Sequence, residues 1–220
     1  MVRVLLTRPQ PGAEASAEAL RALGHMPVVR PLMVYAPCPW TPPEAFPEAV
    51  LLTSAAAVHH AGSLAAPFQQ LPAYCVGTQT TRVARAAGWH HAETAGPDLA
   101  TLYQALAGLG PLRLLHLAGE HRTKAEVPAS LTIDSRTVYA ASLLPLEDPG
   151  DIDAVMLFSP RSARHFAEEW DRLGRARGAL SVLAISAATA QAAGAGWRQQ
   201  VIASQPDEHA LLVALDQLSL

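Results

Sequence analysis

The sequence predicts an α/β protein made of two similar units, each a parallel five-stranded sheet flanked by helices. Three observations lead there. Short apolar runs alternate with alanine-rich segments of helical period, the pattern of strands joined by crossover helices. The second half of the chain repeats the order of the first. Most apolar runs end in a small or hydroxyl residue that opens the next helical segment, as a cap does at a helix N-terminus.

Taken in order, Val2 to Leu6 reads as a strand, Pro11 to Leu23 as a helix stopped by Gly24, and Pro27 to Val34 as the next strand. Pro37, Pro39, Pro42, Pro43 and Pro47 then break regular structure and mark a connector. Strand Ala49 to Leu52 follows, then helix Ala55 to Leu64, strand Ala73 to Val76, helix Thr80 to Ala87, a weak strand near His91 to Thr94 and helix Leu99 to Leu106. The second half supplies strands Leu112 to Leu117, Arg136 to Ala140, Ala154 to Phe158, Val182 to Ile185 and Val201 to Ala203. Its helices fall near Lys124 and over Ala163 to Leu173, Thr189 to Ala193 and Glu208 to Leu218.

The likeness of the halves is an internal repeat with nearly constant spacing. Ala49-Val50-Leu51-Leu52-Thr53-Ser54 recurs as Ala154-Val155-Met156-Leu157-Phe158-Ser159, Pro97-Asp98 as Pro206-Asp207, and Val34-Tyr35-Ala36 as Val138-Tyr139-Ala140. A plain division would cut the chain near Gly110. The clearest connector composition lies elsewhere, after the second strand of each repeat, at Pro37 to Pro47 and at Ser142 to Pro149. If the chain crosses at both places, residues 37 to 141 form one domain and the two ends close together as the other. Periodicity alone leaves both cuts open.

Composition removes several function classes. Half of the 220 residues are hydrophobic and 16% are charged, and no apolar run approaches the roughly 18 residues of a membrane span. The first residues, Met1 to Thr7, lack the apolar core and cleavage site of a signal peptide, so a soluble cytoplasmic protein is expected, with no membrane partner. Cys38 and Cys75 stand far apart and are read as reduced thiols. A net charge of -3 without a basic run argues against nucleic acid. Of the basic residues only Lys124 is a lysine. Arginine's planar fork of donors suits carboxylates, although genome base composition accounts for the bias equally well.

No phosphate-binding, dinucleotide-binding, zinc-protease or serine-hydrolase signature is present. His59-His60 and His90-His91 are adjacent pairs whose side chains diverge on regular structure, and His116 and His121 flank a loop without a carboxylate and cysteine set. No metal site is expected. What the strand ends do offer is Thr7-Arg8, Thr53-Ser54, Gly77-Thr78-Gln79-Thr80, Ser159-Pro160-Arg161 and Ser186-Ala187-Ala188-Thr189. Each is an ordinary cap by itself. Together, with Arg8, Arg122 and Arg161 close by, they make rows of helix N-termini suited to anionic groups. Two such edges facing each other would hold a large polyanion.

The ordered set Leu5-Leu6-Thr7-Arg8-Pro9, Leu51-Leu52-Thr53-Ser54, Val76-Gly77 with Thr80, Gly119 with Arg122, Val138-Tyr139, Phe158-Ser159-Pro160 and Ile185-Ser186 with Thr189 resembles the uroporphyrinogen-III synthases along essentially the whole chain. The chain departs from that pattern at Ala56, where asparagine is common, and in the residues around Arg122. The resemblance implies two flavodoxin-like domains joined by a two-stranded linker. Residues 1–35 and 143–220 would form one domain and 37–141 the other, with linker strands near 32–37 and 138–145. It therefore favours the crossed division.

The resemblance also implies an activity without metal or cofactor, the conversion of hydroxymethylbilane to uroporphyrinogen III with inversion of the last pyrrole ring and loss of water. Carboxylates of this linear tetrapyrrole would meet Arg8, Thr53, Ser54, Gly77, Thr78, Thr80, Gly119, Arg122, Ser159, Arg161, Ser186 and Thr189. Tyr139 would be the proton donor, directly or through water, with Thr80 facing it. Hydroxymethylbilane synthase is the implied partner in a transient handover of substrate. Without the resemblance, Tyr139 reads as a strand tyrosine packing its ring on the linker, and its repeat counterpart Tyr35 is an internal control whose change to Phe should be nearly silent. The competing class is a two-domain module that closes on an anionic ligand without chemistry and needs only the strand-end N–H groups.

Overall fold

The computed structural model describes residues 1–122 and 125–218. In chain order the elements are β1 (Arg3–Leu6), α1 (Gly12–Ala22), β2 (Met26–Val29), β3 (Met33–Pro37), β4 (Ala49–Leu52), α2 (Ala55–His60), β5 (Ala73–Val76), α3 (Thr78–Ala86), β6 (Ala92–Gly96), α4 (Leu99–Ala107), β7 (Leu112–Gly119) and β8 (Leu131–Leu143). There follow β9 (Ala154–Leu157), α5 (Pro160–Arg172), β10 (Ser181–Ala184), α6 (Ala187–Ala193), β11 (Gln199–Ile202) and α7 (Glu208–Val213). The chain divides into two compact units, Met1–Val34 with Ser142–Leu220, and Tyr35–Ala141.

The first unit is a five-stranded sheet in the order β11-β10-β9-β1-β2, with every neighbouring pair parallel. Successive residues of a strand point to opposite faces, and each face here is apolar because helices cover both. Val4, Leu6, Ala154 and Met156 pack with Ala17 and Leu20 of α1 and with Leu211 of α7. Leu5, Val155 and Leu157 pack on the other side with Phe166 and Trp170 of α5 and Ala193 of α6. Burying a Leu or Phe is worth about 1.5–3 kcal/mol each, so continuous apolar runs, rather than alternating ones, are what this sheet requires.

The second unit has six strands in the order β3-β8-β7-β4-β5-β6. Its five consecutive strands from β8 to β6 are parallel. Val50 and Leu52 face Ala57, Phe68, Ala84 and Trp89, whereas Ala49 and Leu51 face Leu102, Tyr103 and Leu106 of α4. The sixth strand, β3, corrects the expectation of five. Cys38 N–H donates to Val138 O, and Leu144 N–H to Leu32 O, both at 2.9 Å, so β3 and β8 run in opposite directions. β8 spans 13 residues where a short strand from Arg136 to Ala140 is expected.

Two further expectations change. The strand expected over Pro27 to Val34 is two strands in two sheets: β2 pairs with β1 as far as Val29, and the chain bends at Leu32 before β3 starts. Arg30 and Leu32 N–H still donate to Leu6 and Thr7 O, both at 2.9 Å, so the change of sheet follows the last of these bonds. The helix expected over Ala55 to Leu64 stops at His60, because Gly62 takes φ of +67° and a 3-10 turn containing Pro67 follows. The helical segment expected near Lys124 falls on Thr123 and Lys124, outside the described residues.

Candidate functional site

In the second unit the chain leaves β4 toward β5 and β6 on one side, and leaves β7 toward β8 on the other. β4 and β7 are parallel neighbours, so the two connections diverge and leave a crevice beyond their C-terminal ends, the usual ligand position in open α/β sheets. A cavity of about 330 Å³ opens there. Thr53 and Ser54 follow β4 into it, His116, Gly119, His121 and Arg122 come from β7 and the segment after it, Pro97, Asp98 and Leu99 from the entry to α4, and Tyr139 from β8.

Tyr139 owes its placement to an irregularity. The register of β7 and β8 shifts between Ala118 and Gly119, so Ala118 lies opposite Thr137 but Gly119 opposite Tyr139, and such a bulge re-aims side chains. The Tyr139 ring lies directly over Gly119, where a Cβ would stand 2.6 Å from Cζ. The rings of Tyr35 and His60 flank it, with centroids 5.2 and 6.1 Å away.

Beside it, Thr53 Oγ1 and His116 Nε2 are 3.1 Å apart. His116 is 3% exposed. Burial, together with the nearby Arg122 guanidinium, lowers its pKa to about 4, so the ring is uncharged at neutral pH. Ser54 caps α2 by accepting from Ala56 N–H. Asp98 caps α4, and the bonds it accepts from Thr101 hold its carboxyl below the ordinary range. Arg122 is exposed and reaches Thr137 Oγ1 at 3.4 Å. Among the described residues the wall thus carries one guanidinium, one carboxylate, a phenol, the hydroxyl-imidazole pair and the second imidazole of His121.

Of the residues singled out in the sequence, Thr53, Ser54, Gly119, Arg122 and Tyr139 meet at this cavity. Gly77, with φ of +75°, starts α3; Thr78 is exposed there, whereas Thr80 is buried on the same helix and does not line the cavity. In the first unit, Ser159 and Ser186 cap α5 and α6 by accepting from Ser162 and Thr189 N–H. Arg161 lies in the first turn of α5, and Thr189 is fully buried. Arg8 is engaged by its own unit: it contacts Ser16 Oγ at 3.1 Å and Glu208 at 3.3 Å, and lies over the Phe158 ring at 4.2 Å.

The family model described as HEM4, uroporphyrinogen-III synthase HemD, matches residues 14–213. The chain belongs to the uroporphyrinogen-III synthase family. Solved structures agree on the fold. The uroporphyrinogen-III synthetase of Helicobacter pylori 26695 has a TM-score of 0.60 at 16% identity, over 99% of this chain and 100% of that one. A mutant uroporphyrinogen III synthase from the extremely thermophilic bacterium Thermus thermophilus has a TM-score of 0.51 at 16% identity, with the same coverage. No curated protein sequence matches the chain.

For this uroporphyrinogen-III synthase family member the activity is the cyclisation of hydroxymethylbilane in tetrapyrrole synthesis, a lyase reaction. Among the described residues no helix is long and apolar enough to cross a membrane. Three polar residues of the cavity wall carry no sign of a site role in the sequence. Asp98 stands out there only as part of the repeat, and His116 and His121 only as unlikely metal ligands. The available signal for His116 is a lone histidine within an otherwise apolar strand, Leu114-Leu115-His116-Leu117.

Proposed function

We propose that the second unit's cavity holds the reacting end of hydroxymethylbilane, and that Tyr139 donates the proton that lets the terminal hydroxyl depart. The C–O bond breaks, the oxygen leaves as water with that proton, and the carbon becomes part of an electrophilic azafulvenium cation, its charge shared with the pyrrole nitrogen. Attack from the substituted carbon of the last pyrrole forms a spiro intermediate, which fragments and recloses with that ring inverted. The ring carbon then gives up a proton, so the net change is loss of one water. A phenol is a weak acid, and much of the acceleration would come from holding the chain folded for the inverted closure.

The observation that carries this reading is the position of Tyr139, on the wall of a cavity at the β4/β7 crevice, beside hydroxyl, imidazole and guanidinium groups. Arg122 and the Thr53 and Ser54 segment would contact carboxylates in this unit through charge-assisted hydrogen bonds. In the first unit, the starts of α5 and α6 at Ser159 and Ser186, with Arg161, would do the same. Gly77, Thr78, Thr80, Thr189 and Arg8 belong to the same strand-end set, Arg8 at the cost of its contact with Glu208.

The same reading takes the strand order β2-β1-β9-β10-β11, and its counterpart β8-β7-β4-β5-β6, as flavodoxin-like. The domains are then 1–35 with 143–220, and 37–141, with the strands near 32–37 and 138–145 as a two-stranded linker. It also takes the protein as cytoplasmic and as receiving its substrate from hydroxymethylbilane synthase.

A coupled assay that resolves the III isomer from the I isomer tests the central claim, since uncatalysed closure yields the I isomer. The wild-type protein is expected to give the III isomer, and Tyr139→Phe to lower turnover by roughly 10²-fold or more without abolishing it. Unchanged turnover in that variant would remove Tyr139 from the mechanism, and formation of the I isomer alone by the wild-type protein would favour a binding module.

A further inference from the structure

We propose that His116 and Thr53 act as one substrate-binding pair, presenting a single hydrogen-bond donor to a carboxylate of the tetrapyrrole in the second unit's cavity. The inference rests on the reading that this cavity holds substrate.

His116 occupies a position in β7 where packing alone would favour a leucine: its neighbours Leu114, Leu115 and Leu117 are fully buried, and it is 3% exposed itself. An imidazole there is costly unless both nitrogens are used, because a buried polar atom without a partner loses its hydration for nothing. Nε2 is used, against Thr53 Oγ1. No hydrogen bond of Nδ1 is seen among the described residues, yet Nδ1 is not one of the buried polar atoms left without a partner, and the residue lines the cavity, so Nδ1 is the nitrogen left for water or a ligand.

Counting protons shows what the pair can do. Burial and Arg122 keep His116 uncharged, so it carries one N–H, and Thr53 carries one O–H. If Thr53 donates to Nε2, the remaining proton sits on Nδ1 and is free to donate. If Nε2 donates to Thr53, the hydroxyl proton is free instead. In either tautomer the pair holds one proton between its members and has one left over. The other titratable groups on the wall are Asp98, His121, Arg122 and Tyr139. Of these, Arg122 is the cation that draws a carboxylate in, and the spare donor of the pair gives that carboxylate a second, directional contact. His116 lies within β7 and Thr53 is the first residue after β4, the parallel neighbour of β7, so the sheet fixes one member and the strand end fixes the other.

The test uses the full-length protein, hydroxymethylbilane generated in situ, and steady-state kinetics. His116→Phe, which keeps a ring and removes both nitrogens, is expected to raise KM roughly 10-fold or more with a much smaller change in kcat. His116→Gln is expected to recover part of the loss. Thr53→Val is expected to match His116→Phe, and the double variant to be no worse than either single one, as residues acting as a unit are. In wild-type protein, the His116 ring nitrogen resonances are expected to move when uroporphyrinogen III is added anaerobically to saturation.

A KM within twofold of wild type for His116→Phe, beside a raised KM for Arg122→Ala, would overturn the pair and leave the cavity reading intact. If neither variant changes KM and Tyr139→Phe keeps full turnover, the cavity reading itself fails and takes the pair with it. Should His116→Phe fail to fold, the nitrogen resonances of the wild-type protein decide, and resonances unmoved by product would overturn the proposal.

Discussion

Gly119 and Tyr139 form the tightest fit in the site. Gly119 is opposite Tyr139 in the sheet, and a Cβ there would lie 2.6 to 2.9 Å from three atoms of the phenol ring. The backbone of Gly119 does not have positive φ, so an alanine is conformationally allowed and the whole conflict falls on the ring. Gly119→Ala is therefore expected to displace Tyr139 and cut turnover by roughly 10-fold or more, with a midpoint of thermal unfolding within a few degrees of wild type. Full activity in that variant would mean the ring position is not needed. The companion ring of Tyr35 packs edge-on against Tyr139, so the Tyr35→Phe control keeps that contact, whereas Tyr35→Ala would not.

His116 also has a consequence for stability. Its pKa is lowered from an ordinary 6.5 to about 4 in the folded protein, so between those values the unfolded chain binds the proton more readily than the folded one. Its neutral burial contributes fully above pH 6.5, and the advantage is lost as pH falls toward 4. The shift corresponds to about 3 kcal/mol. Unfolding midpoints measured between pH 7 and pH 4 are expected to fall more steeply for wild type than for His116→Phe. Parallel curves would show that this ring does not titrate as described.

At the scale of elements, the serines at the strand ends have a defined local task. Ser54, Ser159 and Ser186 each accept a hydrogen bond from the first turn of the helix they precede. α5 is the longest helix of the three and buries Ala163, Phe166, Ala167 and Trp170 along one stripe. Ser159→Ala is expected to cost about 1 kcal/mol, readable in urea denaturation, while Ser159→Asp, which retains an acceptor, should keep most of that stability. Most element positions were legible in the sequence because apolar runs of four to five residues and helical periods of alanine are local signals. The ends of β2 and α2 were not. Both are set by backbone events, the bend at Leu32 and the positive φ of Gly62, whose effect depends on what the chain must reach next.

For the whole molecule, adjacency in the sheets sets what each part of the chain can do alone. β1 lies between β2 and β9, with Val4 opposite Ala154, so the C-terminal residues from 142 onward lack two strands of their own sheet. Residues 35–141, in contrast, carry all of β4 to β7 and nearly all of β8. Expressed separately, 35–141 is expected to show cooperative unfolding and dispersed amide resonances, and 142–220 is expected to do neither. The reverse result would contradict the division of contacts between the units.

The site shows the same split between local and distant information. Thr53, Ser54, Gly119 and Arg122 could be picked out because strand ends and helix starts are local features, whereas Tyr139, inside β8, was singled out by the resemblance alone. That His116 meets Thr53, and that Tyr139 rests on Gly119, could not be read in this way, since each contact depends on the register of two strands. By itself the sequence determined the α/β class, the run of elements, their repetition and the apolar character of both sheet faces, because side-chain periodicity and backbone propensity act over a few residues. Only the tertiary structure decided that β3 joins β8, that β1 sits beside β9, and that a bulge turns Tyr139 into the cavity. Short apolar strands are interchangeable as partners until packing of both faces selects one arrangement.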